Sequence, residues 1–426
     1  MSVISAEHVE RAGSILVIAK GDVVTPLARD RANELGVKIE VGPSARPPSS
    51  MSPPSTPANR SASSPAPPST RTQQTLPNRS IEAPTQLGAF SGALYRRGAP
   101  LPAAMDPTPE TATRLANDAR PKAAVIGAGH VGATTTLRLV ETSLFSEVVM
   151  VDVVPGLAEG LALDIWHSAG LRGFDTRVKG AQDLSALANA DYIVMTAGRP
   201  RKPGMSRTDL TGINAEIIRT VAAGIRQFAP RAVVVVVTNP LEEMTELMAR
   251  ETGFPASRVL GMAGVLDAAR FCALVALSGV ASPAEINALA LGSHGPEMVI
   301  PLSLARAKGK PLEAQIPADQ LSALVERARD SGAEVVGLLK TGSAYYAPAE
   351  SAAAMVRSMV TGDGQIIAAA VRSNGAYGLP DTRVGLPVRL GREGVAEIIE
   401  LPLRPAERDA LKKAAESLAS RIAELG

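Results

Sequence analysis

The chain predicts a doubly wound α/β fold, a parallel sheet with helices on both faces, followed by a mixed α/β region. Three observations predict it. Short apolar runs at 123–126, 148–151, 192–196 and 233–237 each end in turn residues and are separated by helical stretches. Runs of that kind suit parallel strands buried on both faces, which need no polar alternation. A glycine turn, Gly127-Ala128-Gly129-His130-Val131-Gly132, follows the first run and precedes a helix predicted from Ala133. An acid, Asp152, ends the second run, twenty residues after Gly132.

The bulk numbers are compatible with that class and exclude others. A length of 426 residues allows more than one compact domain. Hydrophobic residues make up 45% and aromatic ones only 3%, so a large core must be mostly Ala, Val, Leu and Ile. A net charge of +2 gives no electrostatic case for nucleic acid. No apolar run is long enough for a membrane span, and no basic region followed by an apolar stretch marks a secretory leader. Cys272 is the single cysteine, which rules out an intramolecular disulfide and fits a reducing cytoplasm.

Four zones follow in order. Residues 1–42 read as a small folded module. Ser5 is placed to cap a short helix over 6–12, and Ile15-Leu16-Val17-Ile18 reads as a strand. Thr25-Pro26 is a helix start and Gly36 a helix stop, before Val37, Ile39 and Val41 alternate as in a strand. Residues 43–120 are dense in Pro, Ser, Thr and Ala with no acid before Glu82, the composition of a disordered linker. One island, 87–97, places Leu87, Phe90 and Leu94 on a shared helical face. Residues 121–265 form the expected dinucleotide-binding half, and 266–426 the expected catalytic half.

The glycines at 127, 129 and 132 allow a tight turn and close approach of backbone to a pyrophosphate at a helix N-terminus, so the site is Rossmann-type. A carboxylate at Asp152 would bond the adenosine ribose hydroxyls and repel a 2′-phosphate, which favours NAD over NADP. Oxidising a secondary alcohol moves a hydride one way and a proton the other. The proton calls for a base near neutral pKa, and a carboxylate beside it fixes one tautomer. His294, in Leu291-Gly292-Ser293-His294-Gly295, and Asp267, in Val265-Leu266-Asp267-Ala268-Ala269-Arg270, are the candidates. His8, His130 and His167 read as structural, with the backbone of His130 in the phosphate turn. Arg270, Arg201 and Arg207 supply cations for carboxylates, the last two in the loop Arg199-Pro200-Arg201-Lys202-Pro203-Gly204-Met205-Ser206-Arg207. No metal is expected.

Residues 122–426 resemble the lactate/malate dehydrogenase superfamily, specifically its lactate-dehydrogenase-like bacterial malate dehydrogenases. The resemblance rests on the glycine turn, the arginine loop, Val237-Thr238-Asn239-Pro240-Leu241, Gly264 through Arg270, and Leu339-Lys340-Thr341-Gly342-Ser343-Ala344-Tyr345-Tyr346-Ala347-Pro348, all in family order. It implies that His294 is the acid–base residue and Asp267 its partner. Arg270 would grip the C1 carboxylate through a bidentate fork, and Arg207, on a mobile loop, would polarise the carbonyl. Arg201 would pair with a second carboxylate and so separate malate from lactate. Asn239 would bond the substrate, Val237, Thr238 and Asn239 would line the nicotinamide, and Asn214 would contact the cofactor.

The implied reaction is reversible hydride transfer between (S)-malate and NAD, giving oxaloacetate and NADH. The alternative is a related activity on lactate, lactaldehyde or another small 2-hydroxy compound. Three departures bear on that choice: Pro296 stands where the family usually has aspartate, Ser293 where it has glycine, and Glu242 where it has aspartate. The retained histidine, aspartate and arginines argue against a non-catalytic scaffold. A homodimer or homotetramer in the cytoplasm is expected. Residues 22–37 also resemble a short segment of bacterial microcompartment proteins. That resemblance implies a docking tag on a tether, a shell or scaffold partner for residues 1–120, and a place in the compartment lumen.

Overall fold

The structure, a computed structural model, describes residues 3–4, 8–9, 12–19, 23–24, 32, 35–42, 119–199 and 207–425. The chain divides into two units, Met1–Arg96 and Arg97–Gly426. Ser5, Thr25-Pro26, the 87–97 island and Arg201 lie outside the described residues.

In the first unit, strand β1 (Val3–Ile4) precedes β2 (Ile15–Ala19), β3 (Val23–Val24) and β4 (Lys38–Gly42). β1 pairs with β3 and β2 with β4, both parallel, the latter with Ile15 opposite Lys38 and Ala19 opposite Gly42. Alternation sorts the side chains of β2. Ile15 and Val17 face solvent, while Leu16 packs with Val37 and Ile39 over the buried Val9 and Ala32. Gly36, at φ +68°, makes the left-handed turn into β4 that the sequence predicts.

The second unit carries the predicted parallel sheet. Its strands are β5 (Lys122–Ile126), β6 (Glu147–Val151), β7 (Arg177–Ala181), β8 (Tyr192–Met195), β9 (Val233–Val236) and β10 (Val259–Gly261). They lie in the order β7-β6-β5-β8-β9-β10, all parallel. Sequence patterning marks only four of the six. β7 is a half-buried edge strand with Lys179 and Gly180 at its centre, and β10 has three residues, so neither presents an apolar run.

Every strand but the edge strand β7 feeds two cores with alternate residues. Val125, Val148, Val194 and Val235 face one side. There they meet helices α1 (His130–Val140), through Leu139, and α7 (Tyr346–Thr361), through Met355 and Met359. Ala124, Val149, Ile193 and Val234 face the other side. They meet α3 (Arg207–Phe228), through Ile218 and Ile225, and α4 (Leu241–Thr252), through Met244 and Met248. Burying each Val is worth ~1.5–3 kcal/mol. An apolar run without polar interruption therefore stabilises only a strand covered on both faces. Between these elements α2 (Leu157–His167) follows β6 and lies on β7.

After β10 the sheet changes direction. α5 (Gly264–Ala276) leads into β11 (Ile286–Asn287), β12 (Leu291–Gly292), β13 (Met298–Val299), β14 (Arg306–Ala307) and β15 (Lys310–Pro311). β11, β14 and β15 form a small separate sheet. α6 (Ala318–Leu339) and α7 then precede β16 (Ile366–Arg372), β17 (Arg383–Gly391), β18 (Gly394–Ile398) and the terminal α8 (Pro405–Ala423). β16 joins β10 antiparallel, and β17, β12 and β13 extend the same sheet beyond it. One continuous sheet thus carries both the cofactor-turn strand β5 and the histidine strand β12.

Candidate active site

The strand order reverses at β5 and β8, which opens a crevice at their C-terminal ends. The glycine turn leaves β5 there. Gly127 adopts φ +101°, and a Cβ on it would lie 2.7 Å from the Ala197 nitrogen at the end of β8. A Cβ on Gly132 would lie 1.8 Å from the Gly127 carbonyl oxygen, so the turn closes only without side chains at both positions. Around Gly129 a Cβ would meet no atom of the described residues within 4 Å. The protein therefore leaves open space at that glycine, as a pyrophosphate on the turn requires. The helix begins at His130, three residues before the predicted Ala133, because Gly129 is its N-cap and the turn runs directly into the first helical turn. No side chain caps it, which leaves the first amides directed at the crevice.

Asp152, just past β6, is fixed by two backbone amides. Its Oδ2 accepts from Ala128 N–H at 2.7 Å and its Oδ1 from Val154 N–H at 2.9 Å. The carboxylate is partly exposed beside the turn, where a ribose would reach it. Open space at Gly129, an uncapped helix start and a fixed carboxylate fit a dinucleotide.

The predicted proton-transfer pair is assembled from two elements. Asp267, in the first turn of α5, is 1% exposed. His294 follows β12, and its Nδ1 lies 2.8 Å from Asp267 Oδ2. Arg270, one helical turn beyond Asp267, places Nη1 3.3 Å from Asp267 Oδ1. Burial disfavours the imidazolium, but the charge and hydrogen bond of Asp267, with Glu242 adding to them, hold the His294 pKa above its ordinary value.

Other predicted residues take varied places. Val237 and Asn239 follow β9, Val237 half-buried and Asn239 exposed at the crevice. Thr238 is buried and donates its hydroxyl to Ala197 O at 2.7 Å. Asn214, expected to contact the cofactor, is 1% exposed and instead ties backbone together. Its Oδ1 accepts from Arg199 N–H at 2.8 Å and its Nδ2 donates to Asn239 O at 2.6 Å. It thereby joins the start of the arginine loop to the Asn239 turn. Arg207 opens α3, but its side chain, like all of Arg201, lies outside the described residues.

Sequence reasoning assigned no role to Glu242, Glu243, Glu297 or Arg421, which surround the histidine stretch. The legible signal is the pair of acids in the first turn of α4, where a helix dipole favours negative charge. His130 packs its ring, tilted, 5.0 Å from that of Tyr345, a contact between the glycine turn and the residue preceding α7.

A glycine turn at a sheet switch point and a buried His–Asp pair beside an arginine define a dinucleotide-dependent dehydrogenase of 2-hydroxy acids. Comparison with known proteins narrows the class. Residues 121–261 match the lactate/malate dehydrogenase NAD-binding domain, and 264–425 match the α/β C-terminal domain of the same family. The chain belongs to the lactate/malate dehydrogenase family. It is 47% identical to the malate dehydrogenase of Chloroherpeton thalassium over 70% of this chain and 96% of that one. It is 46% identical to the malate dehydrogenase of Synechocystis, over 70% and 92% of the two chains. Among solved structures, Salinibacter ruber malate dehydrogenase superposes with TM-score 0.68 at 38% identity, covering 71% of this chain and 97% of that one. A Cryptosporidium parvum lactate dehydrogenase solved with lactic acid and NAD gives 0.69 at 32% identity, over 72% and 98%.

Proposed function

We propose that this chain catalyses reversible hydride transfer between (S)-malate and NAD, giving oxaloacetate and NADH. The observation that carries the proposal is the hydrogen bond between His294 Nδ1 and buried Asp267, with Arg270 beside it. Bound NAD supplies the hydride acceptor. Because Asp267 occupies Nδ1, Nε2 of His294 is the atom left to take the hydroxyl proton in oxidation and return it in reduction. Asp267 holds that tautomer and stabilises the imidazolium. Arg270 keeps part of its guanidinium fork for the C1 carboxylate. By the family pattern, Arg207 polarises the carbonyl oxygen and Arg201 pairs with the second carboxylate. Gly127, Ala128, Gly129, His130, Val131 and Gly132 hold the pyrophosphate and Asp152 the ribose. Asn214 supports that site from behind, through the backbone of Arg199 and Asn239.

A second reading, with lactate or lactaldehyde as substrate, is favoured by the comparable TM-score of a lactate dehydrogenase structure, at lower identity, and by Pro296 beside the histidine. NADH oxidation by the purified protein on oxaloacetate, pyruvate and lactaldehyde separates the two. The malate reading expects oxaloacetate to be strongly preferred, and R201Q to lower kcat/KM on oxaloacetate far more than on pyruvate. Equal losses on both substrates would remove Arg201 from specificity.

The proposal extends to organisation: residues 1–42 as a docking module joined by 43–120 to a catalytic body of 121–265 and 266–426, assembled as a homo-oligomer in the cytoplasm or a microcompartment lumen. A chain beginning near Pro121 should keep its kinetic constants and lose co-fractionation with partner proteins. Loss of activity on truncation would make the extension part of the enzyme.

A further inference from the structure

Glu242 lies in the first turn of α4, directly after the Asn239–Pro240 turn, and is 2% exposed. Its Oε1 accepts the backbone N–H of His294 at 2.6 Å, across 52 residues of sequence. The neighbouring residue of the same stretch is held as well. Ser293 donates its hydroxyl to Glu297 Oε2 at 3.3 Å. Glu297 in turn accepts from Ser417 Oγ at 2.6 Å and from Arg421 Nη1 at 3.1 Å. Arg421 closes the circuit by donating through Nε to Glu243 Oε1 at 3.2 Å. The histidine stretch is therefore anchored to both α4 and α8.

Any carbonyl oxygen would satisfy a backbone amide. A buried carboxylate carries a large desolvation cost that this task alone does not require. Among the described residues, the charged groups facing His294 are Asp267 and Arg270 from α5 and Glu242 from α4. Among the described residues, those facing Glu242 are His294 and its neighbour Glu243, with Arg421 reaching Glu243 from α8.

We infer that Glu242 is a positioning residue for proton transfer: it fixes the main chain of His294 so that Nδ1 stays on Asp267, and it sets a second carboxyl group beside the histidine. This rests on the reading of His294 as the acid–base residue. Burial pushes the Glu242 carboxyl up, and the charge and amide of His294 pull it back, so the two groups are electrostatically linked.

The test compares E242Q and E242A with the full-length parent, using H294N as control. Glutamine keeps an acceptor oxygen and removes the charge. Oxaloacetate reduction needs protonated His294, so its kcat/KM falls as pH rises through the histidine pKa. Removing a negative charge lowers that pKa. In E242Q the alkaline limb should move to lower pH by about half a unit or more. E242A should lose kcat by ~10- to ~100-fold, as a displaced catalytic group does. NADH Kd, from fluorescence titration, should stay within about twofold in both variants, since the hydrogen bond of Glu242 goes to the main chain of His294.

If both variants superpose on the parent in kcat and in the pH limb, the inference is wrong. It is equally wrong if activity, Tm and NADH affinity fall together with the limb unmoved, since that is a purely structural role. Should E242A fail to fold, the limb in near-isosteric E242Q decides. An active H294N would bring down the acid–base reading and this inference together. An inactive H294N with unaltered Glu242 variants would bring down the inference alone.

Discussion

The two halves of the site are built from different materials. The cofactor turn is made of backbone: glycines at 127, 129 and 132, an uncapped helix start, and a carboxylate whose bonds go to main-chain amides. The candidate proton-transfer site is made of side chains brought from α4, α5, the stretch after β12 and, behind them, α8. A backbone site fails by collision when an atom is added. A side-chain site fails by loss of chemistry when an atom is removed, and its scaffold survives.

The sharpest way to break this comparison is H294N. Removing the acid–base group should lower turnover by about two to four orders of magnitude while NADH affinity and Tm stay close to the parent. Steady-state kinetics beside fluorescence titration of NADH would show it. Turnover near the parent's would remove the contrast at its catalytic end.

The backbone half makes a narrower claim that two glycines can separate. In G132A the new Cβ would sit 1.8 Å from the Gly127 carbonyl oxygen. Such overpacking costs ~1–3 kcal/mol, so Tm should fall and NADH binding weaken by about fivefold to a hundredfold. In G129A the Cβ meets no atom of the described residues within 4 Å. Its Tm should hold while NADH binding still weakens, because the side chain enters ligand space. Thermal melts paired with NADH titrations read both, and equal Tm losses would mean that Gly129 serves the fold.

The smallest expected effect is in pH dependence. The His294 pKa is raised in the folded protein by Asp267 and Glu242 acting against burial. Oxaloacetate reduction should therefore persist above the ordinary histidine range, about 6.5, and fall as pH rises through the raised value. Malate oxidation should do the reverse. The same shift contributes stability that is fully present below the unfolded pKa and lost as pH rises through the folded one. H294N should lack that dependence in urea titrations at several pH values, and an unchanged profile would exclude His294 as its source.

Both sites were legible in the sequence to different depths. Strand β5, its glycine turn and Asp152 lie within about one βαβ unit, so their identities and spacing carry the geometry. His294 and Asp267 were legible as residue types near neutral-pKa chemistry, and the resemblance ordered them. The partners behind them were not. Asn214 reads as a cofactor contact, but its burial turns its amide onto Arg199 and Asn239. Strands β7 and β10 were missed because one is a polar edge and the other three residues long.

Local sequence by itself determined the doubly wound class and the glycine turn, because apolar runs and glycine conformations act over a few residues. Only the tertiary structure decided that Glu242 lies under the amide of His294. It alone decided that Arg421 reaches Glu243 across 178 residues, and that the sheet continues antiparallel from β10 into the histidine strand. Such pairings depend on which elements pack together. A carboxylate on a helix reads the same in sequence whether it faces water or the main chain of a catalytic residue, and burial distinguishes the two.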